Sequence, residues 1–360
     1  MSRYSRLLLV VIAALTLGLP SAATAAPPKA FLGIVSEDAY NGTPEYRQAA
    51  LAGQKAAGFG LVRQVFDWNR LEPEPGVYDL SSTDALVLDA ARQGLQVMPV
   101  LFGETTATSS RPRGNRSRGT FPPRNAATFA GFAAAIALRY GPSGTLWTDN
   151  PTARRQPVRT YQIWNEPNLP RFWLPRPNAA AYVRMLAAAR SALRVVDSRA
   201  QIVTAGLPAS RQGVKLETYL SAMYRAGGRR HFDALALHPY SATTTELLAR
   251  LRRTRAIMSA KGDGRKGLWI TELGWATQGP ASRYRVGRAG QSRLLRDAVI
   301  KLGRNRTQLR LRGIVYFNWR DSRPYAGGKD FWGLHTGLRD LQGRAKPALG
   351  LLRRALASVR

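Results

Sequence analysis

Two glutamates stand where short apolar runs stop. Glu166 closes the run Tyr161-Gln162-Ile163-Trp164-Asn165-Glu166-Pro167-Asn168, and Glu272 closes Trp269-Ile270-Thr271-Glu272-Leu273-Gly274-Trp275. One carboxyl able to give up a proton and a second able to attack carbon or activate water are the two parts that hydrolysis of a glycosidic bond requires. A single glutamate at a strand end can equally be a helix-cap neighbour or an ion-pair partner. Two of them, both with aromatic neighbours at matching strand ends, favour the chemical reading. Around them stand Arg63, Asn165, His238, Tyr240 and Trp319, whose groups can fix a charge, donate to a sugar hydroxyl or offer a flat face to a sugar ring.

Metal and thiol chemistry have little to build on. The chain has no Cys, and its three His, His231, His238 and His335, are scattered. No G-x-G-x-x-G follows the first strand candidate and no P-loop is present, which disfavours nucleotide chemistry. No cofactor and no metal is expected.

To bring residues a hundred positions apart together, the chain needs a scaffold. Short runs rich in β-branched and aromatic residues lie at 31–35, 61–66, 96–101, 160–164, 201–205, 234–237, 268–271 and 313–317, each followed by a helical pattern. The helix expected over 125–140 starts at Asn125 and carries Phe129, Phe132, Ile136 and Tyr140 on one face; another opens with Thr243 and Glu246 at capping-box spacing. Eight such units predict the α/β class and a single (β/α)8 barrel, with the site at the C-terminal ends of the strands. There the fourth and seventh strands face each other across the mouth.

With 54 Lys and Arg against 22 Asp and Glu, the chain carries +32, which raises a polyanion partner as a possibility. Only eight of the basic residues are Lys, and the arginines are dispersed through most helical patterns. A basic loop at 105–124, with Arg111, Arg113, Arg116, Arg118 and Arg124, is expected on the active face. If it overhangs the cleft it would attract an anionic glycan; otherwise it is a solvated loop. A non-catalytic barrel that binds an acidic polysaccharide is the alternative function. The N-terminus has Arg3 and Arg6, an apolar run from Leu7 to Leu19 and an A-x-A site ending at Ala25, the pattern of a secretory signal. A secreted protein is expected, with signal 1–25, a catalytic domain at 26–360, no membrane anchor after cleavage and no nucleic-acid partner. The pattern does not fix the oligomeric state.

The chain resembles glycoside hydrolase clan A, the group that includes family 5 cellulases and family 39 β-xylosidases. Trp164 to Asn168 is its most specific motif. Arg63 and Trp68 with the run Leu71-Glu72-Pro73-Glu74-Pro75-Gly76-Val77-Tyr78, then His238-Pro239-Tyr240, Glu272 and Trp319, follow in the same chain order. The resemblance implies a retaining mechanism with Glu166 as acid/base, Glu272 as nucleophile and Asn165 on the sugar 2-hydroxyl. Arg63 and Tyr240 would hold Glu272 ionised, and that charge would raise the pKa of Glu166. His238 would bind substrate or buttress the site. Where many members carry His at the end of strand three, this chain has Phe102-Gly103-Glu104, leaving Glu104 as either a substitute contact or a loop carboxylate. Trp68, Trp173, Trp275 and Trp332 are further candidates for sugar platforms.

Overall fold

A computed structural model describes Pro28, residues 30–324 and residues 328–358. The expected signal segment lies outside them.

Among the described residues nine strands run parallel throughout: β1 (Leu32–Val35), β2 (Leu61–Asp67), β3 (Gln96–Phe102), β4 (Thr160–Ile163), β5 (Gln201–Val203), β6 (Leu207–Pro208), β7 (Ala234–His238), β8 (Gly267–Leu273) and β9 (Leu311–Tyr316). β5 and β6 are two pieces of one stave, since both pair with β7. The sheet therefore closes on itself with eight staves. Among the described residues eight helices of ten residues or more follow them in turn: Pro44–Ala56, Ser81–Arg92, Ala126–Tyr140, Ala179–Val196, Leu216–Arg225, Thr244–Ala260, Gly287–Arg304 and Pro347–Ala357. This is the (β/α)8 barrel that the alternation of runs predicts. No helix among the described residues is long and apolar enough to cross a membrane.

Local chemistry starts the helices where the sequence places them. Asn125 Oδ1 accepts from the Ala127 amide at 2.8 Å, and Phe129, Phe132, Ile136 and Tyr140 on that helix are buried. Thr243 Oγ1 accepts from the Glu246 amide, while the Glu246 carboxylate reaches back to the amide of Ala242. Inside the barrel a separate apolar cluster forms around Val35, Leu61, Met98, Ala236, Trp269 and Val315. The Trp269 indole occupies the bore beside Gly313, where an added Cβ would come within 2.2 Å of the ring. The bore is thus a packed core beneath the mouth.

The break in the fifth stave spans Thr204 to Gly206, and side-chain hydroxyls stand in for the missing ladder there. Tyr182 takes the Ala205 amide at 2.6 Å, and Thr204 Oγ1 takes the Ala236 amide at 2.9 Å. Gly206 lies so close to the imidazole of His238 that a Cβ would fall 2.0 Å from Nε2. No side chain fits between them.

Candidate active site

Each glutamate owes its direction to an irregular stave end. On β8 the register slips between Ile270 and Leu273, so that three residues on β8 answer two on β9. Such a bulge re-aims a side chain, here Glu272. After β4, Trp164 and Glu166 adopt left-handed backbone conformations (φ 71° and 44°), which cost of order 1–3 kcal/mol each for residues with a Cβ and persist only where surroundings enforce them. The surroundings are on both sides. The Trp164 indole donates to Phe172 O at 2.8 Å and packs on Phe102, Phe129 and Trp173, while Asn168 Nδ2 donates to Pro208 O and Val214 O.

The two stave ends bring Glu166 and Glu272 together. One oxygen of each, with one ring nitrogen of His238, lies within 4.8 Å of the others. Arg63, 2% exposed, sits beneath them as a three-way strut. It donates from Nη1 to Glu272 Oε1 at 2.9 Å, from Nη2 to Asn165 Oδ1 at 3.0 Å and from Nε to Gln162 Oε1 at 2.8 Å. Tyr240 donates its phenol hydrogen to Glu272 Oε2 at 2.8 Å. With Asn165 Oδ1 committed to Arg63, its amide NH2 is the end left to donate.

Glu166 sits differently. Its Oε1 lies 2.7 Å from His238 Nδ1, and burial pushes its pKa up to about 7, against the opposing pull of Arg63 and Arg171. The expected rise is present, but burial causes it; the expectation that the Glu272 charge would do so is corrected. His238 is fully buried, which holds its imidazole down to about 3 and leaves the ring neutral. It lies under both carboxyls, with Nδ1 also 3.5 Å from Glu272 Oε2, so the buttress role fits and direct substrate contact does not. By spacing, Glu166, His238 and Glu272 are the one grouping among the described residues able to bracket a metal ion. Any such ion would compete with Arg63 and Tyr240 for the Glu272 oxygens.

Other expected residues fall elsewhere. Trp319 is 2% exposed and points into the layer behind the barrel, edge-on to Phe59 and under the Arg339 guanidinium, so it offers no face to a sugar. Trp68, Trp173 and Trp275 are likewise buried, and Trp68 with Glu72, which also accepts from the Gly76 amide, braces the turn after β2. Trp332 is the platform candidate that remains partly exposed. It packs against Tyr240 (4.8 Å between ring centres) and Tyr284 (4.6 Å), beside Phe331, forming an aromatic wall that begins at the Tyr240 ring holding Glu272. In the basic loop, Arg111 lies over the Phe121 ring and donates to Ser117 O and Gly119 O, and Arg124 donates to Ala107 O. These two guanidinium groups hold the loop itself. Glu104 takes the Phe121 amide at 3.1 Å, and burial raises it to about 7.

Sequence reasoning missed Glu37. It lies two residues past the end of β1, where it opens the short helix Glu37–Tyr40, is exposed, and has Gln64 Nε2 3.4 Å from its carboxylate. Surrounding protein raises its pKa, and the Glu272 charge adds to the rise. An acid just past an apolar run was the signal available.

Residues 141–302 match the family model of the glycosyl hydrolase catalytic core. The fold is that of the clan A glycoside hydrolases. A family 39 glycoside hydrolase from Bacteroides cellulosilyticus WH2 superposes with a TM-score of 0.67 at 16% identity, over 92% of this chain and 64% of that one. A monomeric β-xylosidase from Caulobacter crescentus CB15 gives 0.65 at 19% identity, over 91% and 68%. A family 5 enzyme from Streptomyces cattleya, solved with Manβ1-4GlcNAc, gives 0.62 at 16%, over 91% and 80%. The chain thus spans about two thirds of the length of the family 39 structures. No curated protein matches it.

Proposed function

We propose that this chain is a secreted, retaining O-glycoside hydrolase acting on β-linked oligo- or polysaccharide, with residues 26–360 as one catalytic unit. The observation that carries the reading is the pair Glu166 and Glu272, with oxygens within 4.8 Å and unlike partners. Retaining enzymes hold their carboxyls about 5–5.5 Å apart, whereas inverting enzymes leave about 6.5–9.5 Å for a water. Secretion rests on the sequence pattern of residues 1–25.

On this reading Glu272, kept anionic by Arg63 and Tyr240, attacks the anomeric carbon while Glu166 gives its proton to the departing glycosidic oxygen. The C–O bond to the leaving group breaks as a Glu272–sugar ester forms. Glu166, now a carboxylate, takes a proton from water; the water oxygen attacks the same carbon and Glu272 leaves. Two inversions give retention. Asn165 donates to the sugar 2-hydroxyl, and the wall of Tyr240, Trp332 and Tyr284 presents ring faces to the glycan. The names of the similar structures make β-xylosides and β-mannosides the first substrates to try. The test is proton NMR of the first product released from an aryl glycoside that the protein cleaves. The β anomer is expected; initial release of the α anomer removes the retaining mechanism.

A further inference from the structure

The face of the barrel opposite the mouth carries cations that the mechanism above does not use. Connections that lead from a helix into the next strand lie at the N-terminal ends of the staves, away from the catalytic end. Three of them enter the adjacent staves β7, β8 and β9. Residues 226–233, 261–266 and 305–310 together hold seven Lys and Arg, against Asp233 and Asp263 alone. Both acids are taken up from within. Asp233 Oδ2 accepts from Arg194 at 2.9 Å and from the Ile202 amide at 2.8 Å. Asp263, 3% exposed, accepts from Tyr224 at 3.1 Å and Arg229 at 3.2 Å, and Lys266 Nζ stands 3.1 Å from it.

Asp263 thus pins a basic cavity of about 350 Å³, whose wall holds Arg229, Arg230, Arg265 and Lys266. The three connections are laced together: Arg229 Nη2 donates to Gly262 O at 2.9 Å, Lys266 Nζ to Arg229 O, and Arg255 to Lys266 O at 2.9 Å and Leu309 O at 2.7 Å. Arg229 and Lys266 belong to this frame. Arg230 and Arg265 are exposed and pair with no acid among the described residues. Exposed Arg312 extends the row, since its stem lies across Gly267, where an added Cβ would fall 2.5 Å from its Cγ. Phe232 and Leu309, the large apolar residues of the three connections, are buried.

From this row of outward guanidinium groups we infer that the N-terminal face of the barrel binds an acidic polysaccharide. Each guanidinium presents a fork of donors that matches a carboxylate, and a row of them meets a polymer at several charges at once. Stacking of nucleic-acid bases uses exposed rings, and settling into a bilayer surface uses exposed apolar side chains. The buried Phe232 and Leu309 serve neither, whereas a polyuronate needs charge alone. The charge argument is independent of the active site; the choice of a polysaccharide rests on the proposed reading as a secreted glycosidase. A polymer on this face leaves the mouth open, so the protein is held on an acidic matrix while Glu166 and Glu272 act on another strand.

The experiment measures, by calorimetry across a salt series, binding of polygalacturonate, whose α linkages lie outside the proposed reaction, and of its methyl ester. It uses the parent, Arg230→Gln/Arg265→Gln/Arg312→Gln, and Arg113→Gln/Arg116→Gln/Arg118→Gln, which removes the same exposed charge on the mouth side. The parent should bind the acid at least tenfold more tightly than the ester and lose that preference as salt rises. The first variant should bind the acid about tenfold more weakly, and the second as the parent does. Should the first not fold, Arg265→Glu alone changes one exposed side chain and should weaken binding in the same direction. Equal binding by the parent and the N-terminal-face variants overturns the site, and so do equal losses in the two triple variants, which would mean diffuse net charge. Single-stranded DNA or phosphatidylglycerol vesicles that displace polygalacturonate at a lower concentration of charge overturn the polysaccharide as occupant. An aryl glycoside should be cleaved with the same kcat/KM by the parent and the first variant. If no glycoside is cleaved, the hydrolase reading fails while the binding data still decide this face.

Discussion

Glu272 accepts from a guanidinium at 2.9 Å and a phenol at 2.8 Å, whereas Glu166, on the opposite rim, has a neutral imidazole at 2.7 Å and the low polarity of its surroundings. The rims hold the same residue type and give it opposite preferences. Donors and a cation favour the charged carboxylate on the seventh stave; burial favours the protonated acid on the fourth. Division of labour between two chemically identical side chains is thus a property of the staves behind them. It can be attacked one partner at a time.

The largest effect should come from the charged rim. Glu272→Gln keeps the shape and removes the nucleophile, so kcat on any cleaved glycoside should fall by at least about 10⁴-fold. A residual rate within about tenfold of the parent would mean that the attacking group lies elsewhere. Glu166→Gln should cost about 10²–10⁴-fold where the leaving group needs a proton, and far less on an aryl glycoside with a good leaving group. The parent rate should fall as pH rises through about 7, because Glu166 is neutral below that value and loses its proton above it. Glu166→Gln cannot lose that proton, so its profile should lack the alkaline limb. Persistence of the limb would assign it to another group.

Arg63→Gln sharpens the contrast. Without the guanidinium, Glu272 Oε1 and Asn165 Oδ1 lose the donor that fixes both, so kcat/KM should fall by about 10²-fold. An unchanged kcat/KM would show that Arg63 has no part in positioning the pair. Tyr240→Phe removes one hydrogen bond to a charged oxygen and should lower kcat about tenfold.

Much of this arrangement was legible because it depends on local patterns. Apolar runs locate the eight staves to within a residue or two, since strand burial is written in the run itself. Both glutamates and Tyr240 are placed by where those runs stop, and Arg63 by its position inside the second run. What was illegible depends on partners distant in sequence. Trp319 reads alike whether its ring turns toward the mouth or the helices, and only Phe59 and Arg339 decide. The loop arginines read as free cations until the Phe121 ring and the backbone carbonyls claim Arg111 and Arg124. The lowered pKa of His238 follows from complete burial, which its neighbours in sequence do not announce.

The interruption in the fifth stave reaches further than the space it makes for His238. At Ala205 and Ala236 the amides are held by hydroxyls of Tyr182 and Thr204, groups that rotate, instead of by a neighbouring strand. An interrupted seam of the barrel, paired with β7 at Val203 and again only from Leu207, therefore runs past the imidazole that buttresses Glu166. Local opening there disturbs the acid before it disturbs the fold, so deuterium uptake at Ala205 and Ala236 would serve as an early reporter of lost function, ahead of global melting.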